Sequence, residues 1–139
     1  MSEPVTPDVV RQWLATSPFI RFMNLEVVAV DAATGAIAMR MPVRPEFERQ
    51  AGSGQFHGGP IAALIDTVGD FAVAVLLGGG VPTINFRTDY LRPAGGSRLD
   101  ARATVRRIGR TVAVVDVDVT DDAGRLCAVG RGTYSAQLG

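Results

Sequence analysis

The run from His57 to Gly80, HGGPIAALIDTVGDFAVAVLLGGG, constrains what this chain can fold into more than any other stretch, because it reads as one long, mostly buried helix. Gly58 and Gly59 permit a tight entry, Pro60 suits a first-turn position whose N–H would be unpaired in any case, and Gly78-Gly79-Gly80 supplies a stop. Between these ends Ile61, Leu64, Ile65, Val68, Phe71, Ala72, Val75 and Leu76 recur at helical spacing, with alanines at most other positions. Two acids break the pattern. Asp66 and Asp70 lie one turn apart and so share a face. A carboxylate on an apolar helix costs several kcal/mol to bury unless something pairs with it, so that face opens on a polar site or meets solvent. The span Ile61 to Leu77 is too short, and too interrupted by Asp66, Gly69 and Asp70, to cross a bilayer, which leaves a buried core helix.

The 139 residues are expected to form one domain, 1–139, with room for a real core. Its 14 basic and 14 acidic residues cancel, so no global field draws nucleic acid or an anionic membrane. Basic residues gather locally at Arg102, Arg106, Arg107 and Arg110, where a solvated strand edge competes with a patch for a small polyanion. Cys127 has no partner for an internal disulfide and lies in an apolar run, as a buried thiol would. The lack of a signal peptide and of a cystine framework sets a cytoplasmic expectation. His57 is the only histidine, and no cysteine–histidine spacing suggests a metal site.

Residues 1–6 are expected to fray. Thr6 or Pro7 then opens a short helix, Asp8 to about Ala15, with Val9, Val10, Trp13 and Leu14 as its apolar stripe, and Ser17-Pro18 ends it. Phe19, Ile20, Phe22 and Met23 follow as a packed turn or as a lip over an apolar pocket. Leu25 to Val30 and Ala36 to Met41 read as two strands. The irregular segment Pro42 to Phe56 feeds straight into His57, and long loops of this kind are often functional.

After the helix the pattern is all strand: Thr83 to Tyr90, Arg98 to Arg106, Ala113 to Thr120, and Leu126 to Ala136. Leu99, Ala101, Ala103 and Val105 alternate inward, as do Val115, Val117 and Val119. Matching these faces across the hairpin needs paired numbers with an even sum, which predicts an odd loop or a bulge near Gly109 and places Arg102 near Asp116 or Asp118. Asp121-Asp122-Ala123-Gly124 reads as a turn. Helix, two strands, long helix, four strands describe an α+β chain whose antiparallel sheet wraps one central helix.

This order, together with HGGPIAALID, resembles the hotdog-fold acyl-CoA thioesterases of the phenylacetate-degradation type, with their His-Gly-Gly start and an acid nine residues after the histidine. The resemblance runs from about Val9 to Gly139 and includes Thr83 to Pro93, Ile108-Gly109-Arg110 and Gly130 to Tyr134. It implies edge-to-edge homodimers, often paired into homotetramers, with Gly58 of one subunit facing Asp66 and Thr83 of the other. It also implies an aryl- or medium-chain acyl-CoA substrate, with coenzyme A as part of the substrate and no separate cofactor.

The resemblance also implies a role for each residue, beside which an ordinary structural part stays open: glycines that only make the turn, an Asp66 that only bonds across an oligomer contact, and a Thr83 that is an ordinary strand residue. A helix mouth with a free N–H at Gly58 or Gly59 stabilises a developing oxyanion. Asp66 acts as general base toward water or attacks the carbonyl itself, with Asp70 as the backup acid. Thr83 holds the place where relatives carry a water-orienting serine or threonine, and His57 fixes the loop or contacts the thioester. Arg107 and Arg110 flank a hairpin that in similar proteins approaches the phosphates, and Arg87 and Arg92 are further candidates. The acyl group is expected between Phe19, Phe22, Met23 and the start of the helix. One departure stands out: Ala51 occupies the position where relatives often carry asparagine or glutamine, with Gln50 or Gln55 as possible substitutes. Ala51 keeps open a non-catalytic acyl-CoA binding module as the alternative; an enoyl-CoA hydratase would want a histidine deeper in the site.

Overall fold

A computed structural model describes residues 3–139, so residues 1 and 2 of the expected frayed start lie outside the described residues. The rest of that start is tied down. Val5 packs against the core, and the Thr6 side chain accepts a hydrogen bond from the Val9 N–H, capping helix α1 (Pro7–Leu14). Ser17-Pro18 does more than end this helix. Pro18 sits in the first turn of a second short helix, α2 (Pro18–Met23), and the Ser17 hydroxyl accepts from the Ile20 N–H.

Strands β1 (Glu26–Val30) and β2 (Ile37–Pro42) form a hairpin, and the long helix α3 (Gly58–Leu77) follows. Four strands complete the chain: β3 (Thr83–Tyr90), β4 (Arg98–Ile108), β5 (Val112–Asp121) and β6 (Leu126–Ser135). All six strands pair antiparallel in the order β1-β2-β4-β5-β6-β3, and α3 packs on the inner face of the sheet, touching β2 to β6. This is the hotdog fold.

By length and hydropathy alone the full α3 would suit a bilayer, which the shorter count from Ile61 hid. The sheet takes that apolar surface instead: Leu64, Ile65, Val68, Ala72, Val73 and Ala74 are sealed from solvent. The helix sits close because glycines clear its path. A Cβ on Gly69 or Gly132 would collide with the Tyr134 phenol, and one on Gly130 would meet Ile65. Tyr134, fully buried, donates its hydroxyl to the Asp66 carbonyl oxygen at 3.1 Å and so pins the middle of α3 to β6.

The register of β4 against β5 has even sums, Leu99 opposite Asp121 through Val105 opposite Val115, until a bulge between Val105 and Arg107 shifts it by one. Arg102 stands opposite Asp118, as alternation required. Asp116 is instead gripped by Arg131, at 2.7 and 3.0 Å, with Arg106 at 3.4 Å, and the Arg131 hydrogen bond holds its carboxyl below the usual range. Asp121, expected in a turn, is the last residue of β5 and is buried. Its carboxylate accepts from the N–H groups of Arg125 and Ala123 and from the Arg125 guanidinium, so it templates the turn from inside the strand.

The two edges of the sheet differ. β1 is backed by α1, whereas β3 is exposed along most of its length, with Ile84 59% and Tyr90 53% accessible. An uncovered edge with bare N–H and C=O groups is a pairing surface.

Candidate active site

The irregular segment before α3 is built to aim His57. Phe47 and Phe56 are buried, Gly54 N–H donates to the Glu48 carboxylate at 2.7 Å, Phe56 N–H to Ala94 O at 2.7 Å, and His57 N–H to Phe47 O at 2.7 Å. His57 is thereby set as the N-cap of α3, with extended φ −63 and ψ 151. Its Nδ1 accepts from the Gly59 N–H at 2.9 Å, which leaves the ring proton on Nε2.

That cap decides which backbone donor is available at the helix mouth. Gly59 is engaged by His57, and Pro60 has no N–H. The Gly58 N–H has no hydrogen-bond partner among the described residues, and the positive end of the helix dipole lies behind it. The Gly58 carbonyl accepts from the Tyr90 hydroxyl at 2.8 Å, so the peptide between Gly58 and Gly59 is held at both ends. Tyr90 carried no signal in the sequence beyond closing a strand; its partner lies 32 residues away.

Gly58 opens on a cleft of about 390 Å³ shared with Arg49, Gln55, Ile61, Tyr90 and Arg92. Of the four arginines expected to meet phosphates, this cleft contains Arg92. Arg87 is ion-paired with Asp89 at 3.4 Å on β3, and Arg107 and Arg110 are exposed at the β4–β5 hairpin, outside the two clefts described here. Ala51 is exposed in a turn, while Gln55 reaches the cleft from the neighbouring loop.

A second cleft of about 360 Å³ contains Asp66 and Asp70, walled by Phe19, Ile20, Ala63 and Phe71 with Ser17 and Thr67 at its rim. The Thr83 hydroxyl, at the start of β3, donates to Asp66 Oδ1 at 2.9 Å, so the two residues meet within one chain. Asp70 accepts from the Val81 N–H at 3.4 Å, and burial, reinforced by the nearby Asp66, pushes its carboxyl up to about 6. Burial likewise drives the Tyr134 phenol well above its ordinary range. The lip over this cleft is Phe19 and Ile20. Phe22 instead stacks edge-on against Phe47 under the Arg44 guanidinium, and Met23 is buried in the core.

Gly58 and Asp66 sit eight residues apart on one helix, about 12 Å along its axis. They also open on different clefts.

The family comparison gives this fold its class: the Thioesterase superfamily matches residues 53–128, and the chain belongs to it. It is 31% identical to human acyl-coenzyme A thioesterase 13 over 91% of this chain and 90% of that protein. Among solved structures it superposes on a thioesterase from Haemophilus influenzae with TM-score 0.84 at 27% identity, covering 96% of this chain and 91% of the other. A phenylacetic acid degradation-related protein from Ralstonia eutropha gives TM-score 0.79 at 27% identity, covering 93% and 98%. The chain is thus an enzyme of the thioester-hydrolase class.

Proposed function

We propose that this enzyme hydrolyses an aryl- or medium-chain acyl-CoA to the free acid and coenzyme A, as a thioesterase of the phenylacetate-degradation type, at sites shared between two copies. The observation that carries the shared site is the division of labour just described: the free Gly58 amide and the Asp66–Thr83 pair lie on separate clefts of one chain. Pairing of β3 edges across a twofold axis brings the Gly58 cleft of one copy to the Asp66 cleft of its partner. The homodimer is then the minimal unit, and pairs of dimers form the tetramer.

In this site the Gly58 N–H donates to the thioester oxygen as it becomes an oxyanion. Asp66 serves as general base: Thr83 occupies its Oδ1, and the remaining oxygen takes a proton from water as the water oxygen bonds to the carbonyl carbon. Collapse of the tetrahedral intermediate breaks the C–S bond, and the coenzyme A thiolate leaves and takes up a proton. No cofactor is required by this sequence of steps. Arg92 and Arg49, beside Gly58, are placed to meet the phosphates of the leaving group, with Arg87, Arg107 and Arg110 as candidates further along its path. The acyl group lies against Phe19, Ile20 and Phe71. A buried free thiol at Cys127 fits action in the reducing cytoplasm.

A panel of acyl-CoAs, read by release of free thiol, tests the assignment. Aryl and medium-chain esters are expected to turn over fastest, and rates at background across the panel would reject it. Saturable acyl-CoA binding without thiol release would instead establish the binding-module reading that Ala51 leaves open. Tyr90→Phe should lower kcat about tenfold with little change in KM, because it frees the Gly58 carbonyl and lets the adjacent peptide tilt. An unchanged kcat would remove Tyr90 from the positioning of the donor.

A further inference from the structure

We propose that two copies of this chain pair along β3 with Thr88 on the twofold axis, so that Arg87 of each copy forms an ion pair with the partner's Asp89. The inference rests on the pairing of β3 edges proposed above and fixes its register.

The ladder between β3 and β6 decides which groups a partner strand can use. Tyr90 stands opposite Ala128, and the Leu91 N–H donates to the Cys127 carbonyl at 2.9 Å, so the odd residues from Asn85 onward turn their backbone groups toward β6. The N–H and C=O groups of Phe86, Thr88 and Tyr90 therefore point out along the free edge. The side chains of these three face the helix, as the bond from Tyr90 to Gly58 shows. Arg87 lies on the outer face, opposite Arg131.

A twofold axis normal to the sheet keeps inner face on inner face only if it passes through a residue. Through Phe86 it would set Thr83 against the partner's Thr88 and Asp89, neither of which lines the Gly58 cleft. Through Arg87 it would set one guanidinium against its own copy, and through Asp89 one carboxylate against another; like charges directly opposite are destabilising. Through Thr88 it sets Arg87 opposite the partner's Asp89, twice, at sites where the Cα atoms of an antiparallel pair are about 4.5 Å apart. Thr83 then arrives opposite the partner's Arg92 and Pro93, both of which line the Gly58 cleft.

Two features of β3 find their counterpart in this register. The Thr88 hydroxyl oxygen is sealed from solvent and has no hydrogen-bond partner among the described residues; across the axis it meets the same hydroxyl of the other copy. Arg87 and Asp89 reach each other at 3.4 Å within one chain, yet their side chains are 75% and 50% exposed and free to turn to the facing strand.

Disulfide trapping reads the register. The Arg87→Cys and Asp89→Cys proteins are unfolded and refolded together, then oxidised with copper phenanthroline, beside each variant alone and the wild type with its buried Cys127. Cross-linked dimer is expected in up to about half of the mixed protein, the statistical share of mixed dimers, and in neither variant alone. Cross-linking of Arg87→Cys by itself would move the axis by one residue and overturn the inference, as would the lack of any cross-link in protein that still sediments as a dimer. A wild type that sediments as a monomer would instead reject the edge pairing itself. Charge reversal tests the cause. Arg87→Asp and Asp89→Arg each set like charges across the axis, and mixing the two restores both contacts, so mixed dimers are expected to exceed about four-fifths of the total. A share of one half would show that these charges do not hold the register, and the inference would be overturned.

Discussion

Asp66→Asn is expected to lower kcat for thioester hydrolysis by about 10²–10⁴ while leaving KM largely unchanged. At the middle of that range the barrier rises by about 4 kcal/mol. The asparagine carbonyl can still accept from the Thr83 hydroxyl, and the backbone oxygen of residue 66 still accepts from Tyr134, so the local fold is kept. What disappears is an oxygen able to take a proton from water. The effect should therefore fall on the chemical step and not on binding or thermal stability, and steady-state kinetics beside a melting curve will separate them. Wild-type kcat in this variant would dismiss Asp66 from the reaction.

Mixing two inactive variants should restore activity, and this is the second large effect. Gly58→Pro removes the free N–H at the helix mouth, at a position where proline is well tolerated in a first turn. The extended His57 before it, with ψ 151, is compatible with a following proline. Alone, this variant is expected to lose about 10²–10³ in kcat, the usual consequence of deleting one oxyanion donor. A Cβ at this position would approach the Tyr90 hydroxyl to 3.1 Å, so a melting curve should accompany the kinetics. When the Gly58→Pro and Asp66→Asn proteins are unfolded together and refolded at equal concentration, about half the dimers are mixed and each contains one intact pair of donor and acid. Activity near a quarter of wild type is the expected reading. Recovery no greater than the sum of the two parents would place both groups in one chain, which the 12 Å or so between them along α3 argues against.

Much of the scaffold was legible because it follows from local periodicity. The helix from Gly58 to Leu77, its glycine stop and the inward valines of β5 are each readable within a few residues. The pairing arithmetic calls for an odd loop or a bulge near Gly109, since a strand that slips by one residue turns its core face outward, and the structure has a bulge between Val105 and Arg107. The turn Asp121 to Gly124 closes as its composition indicates, the Gly124 N–H donating to the Asp121 carbonyl at 3.0 Å, but no local pattern shows that the Asp121 side chain folds back under Arg125. For Phe22 and Met23 the sequence leaves a packed turn and a pocket lip both open, and the structure takes the packed form, through the cation–π contact of Phe22 with Arg44 and the burial of Met23 in the core.

The amino-acid order by itself determined where the long helix and the six strands run, which face β4 and β5 bury, and that a glycine-led helix carries two acids on one side. Only the tertiary structure decided that His57 caps Gly59 and leaves Gly58 bare, that Tyr90 steadies that peptide, and that Thr83 reaches Asp66. These contacts join segments many residues apart, and no periodicity encodes them. They arise when close packing of helix on sheet, made possible at Gly69, Gly130 and Gly132, brings distant hydrogen-bonding groups within reach.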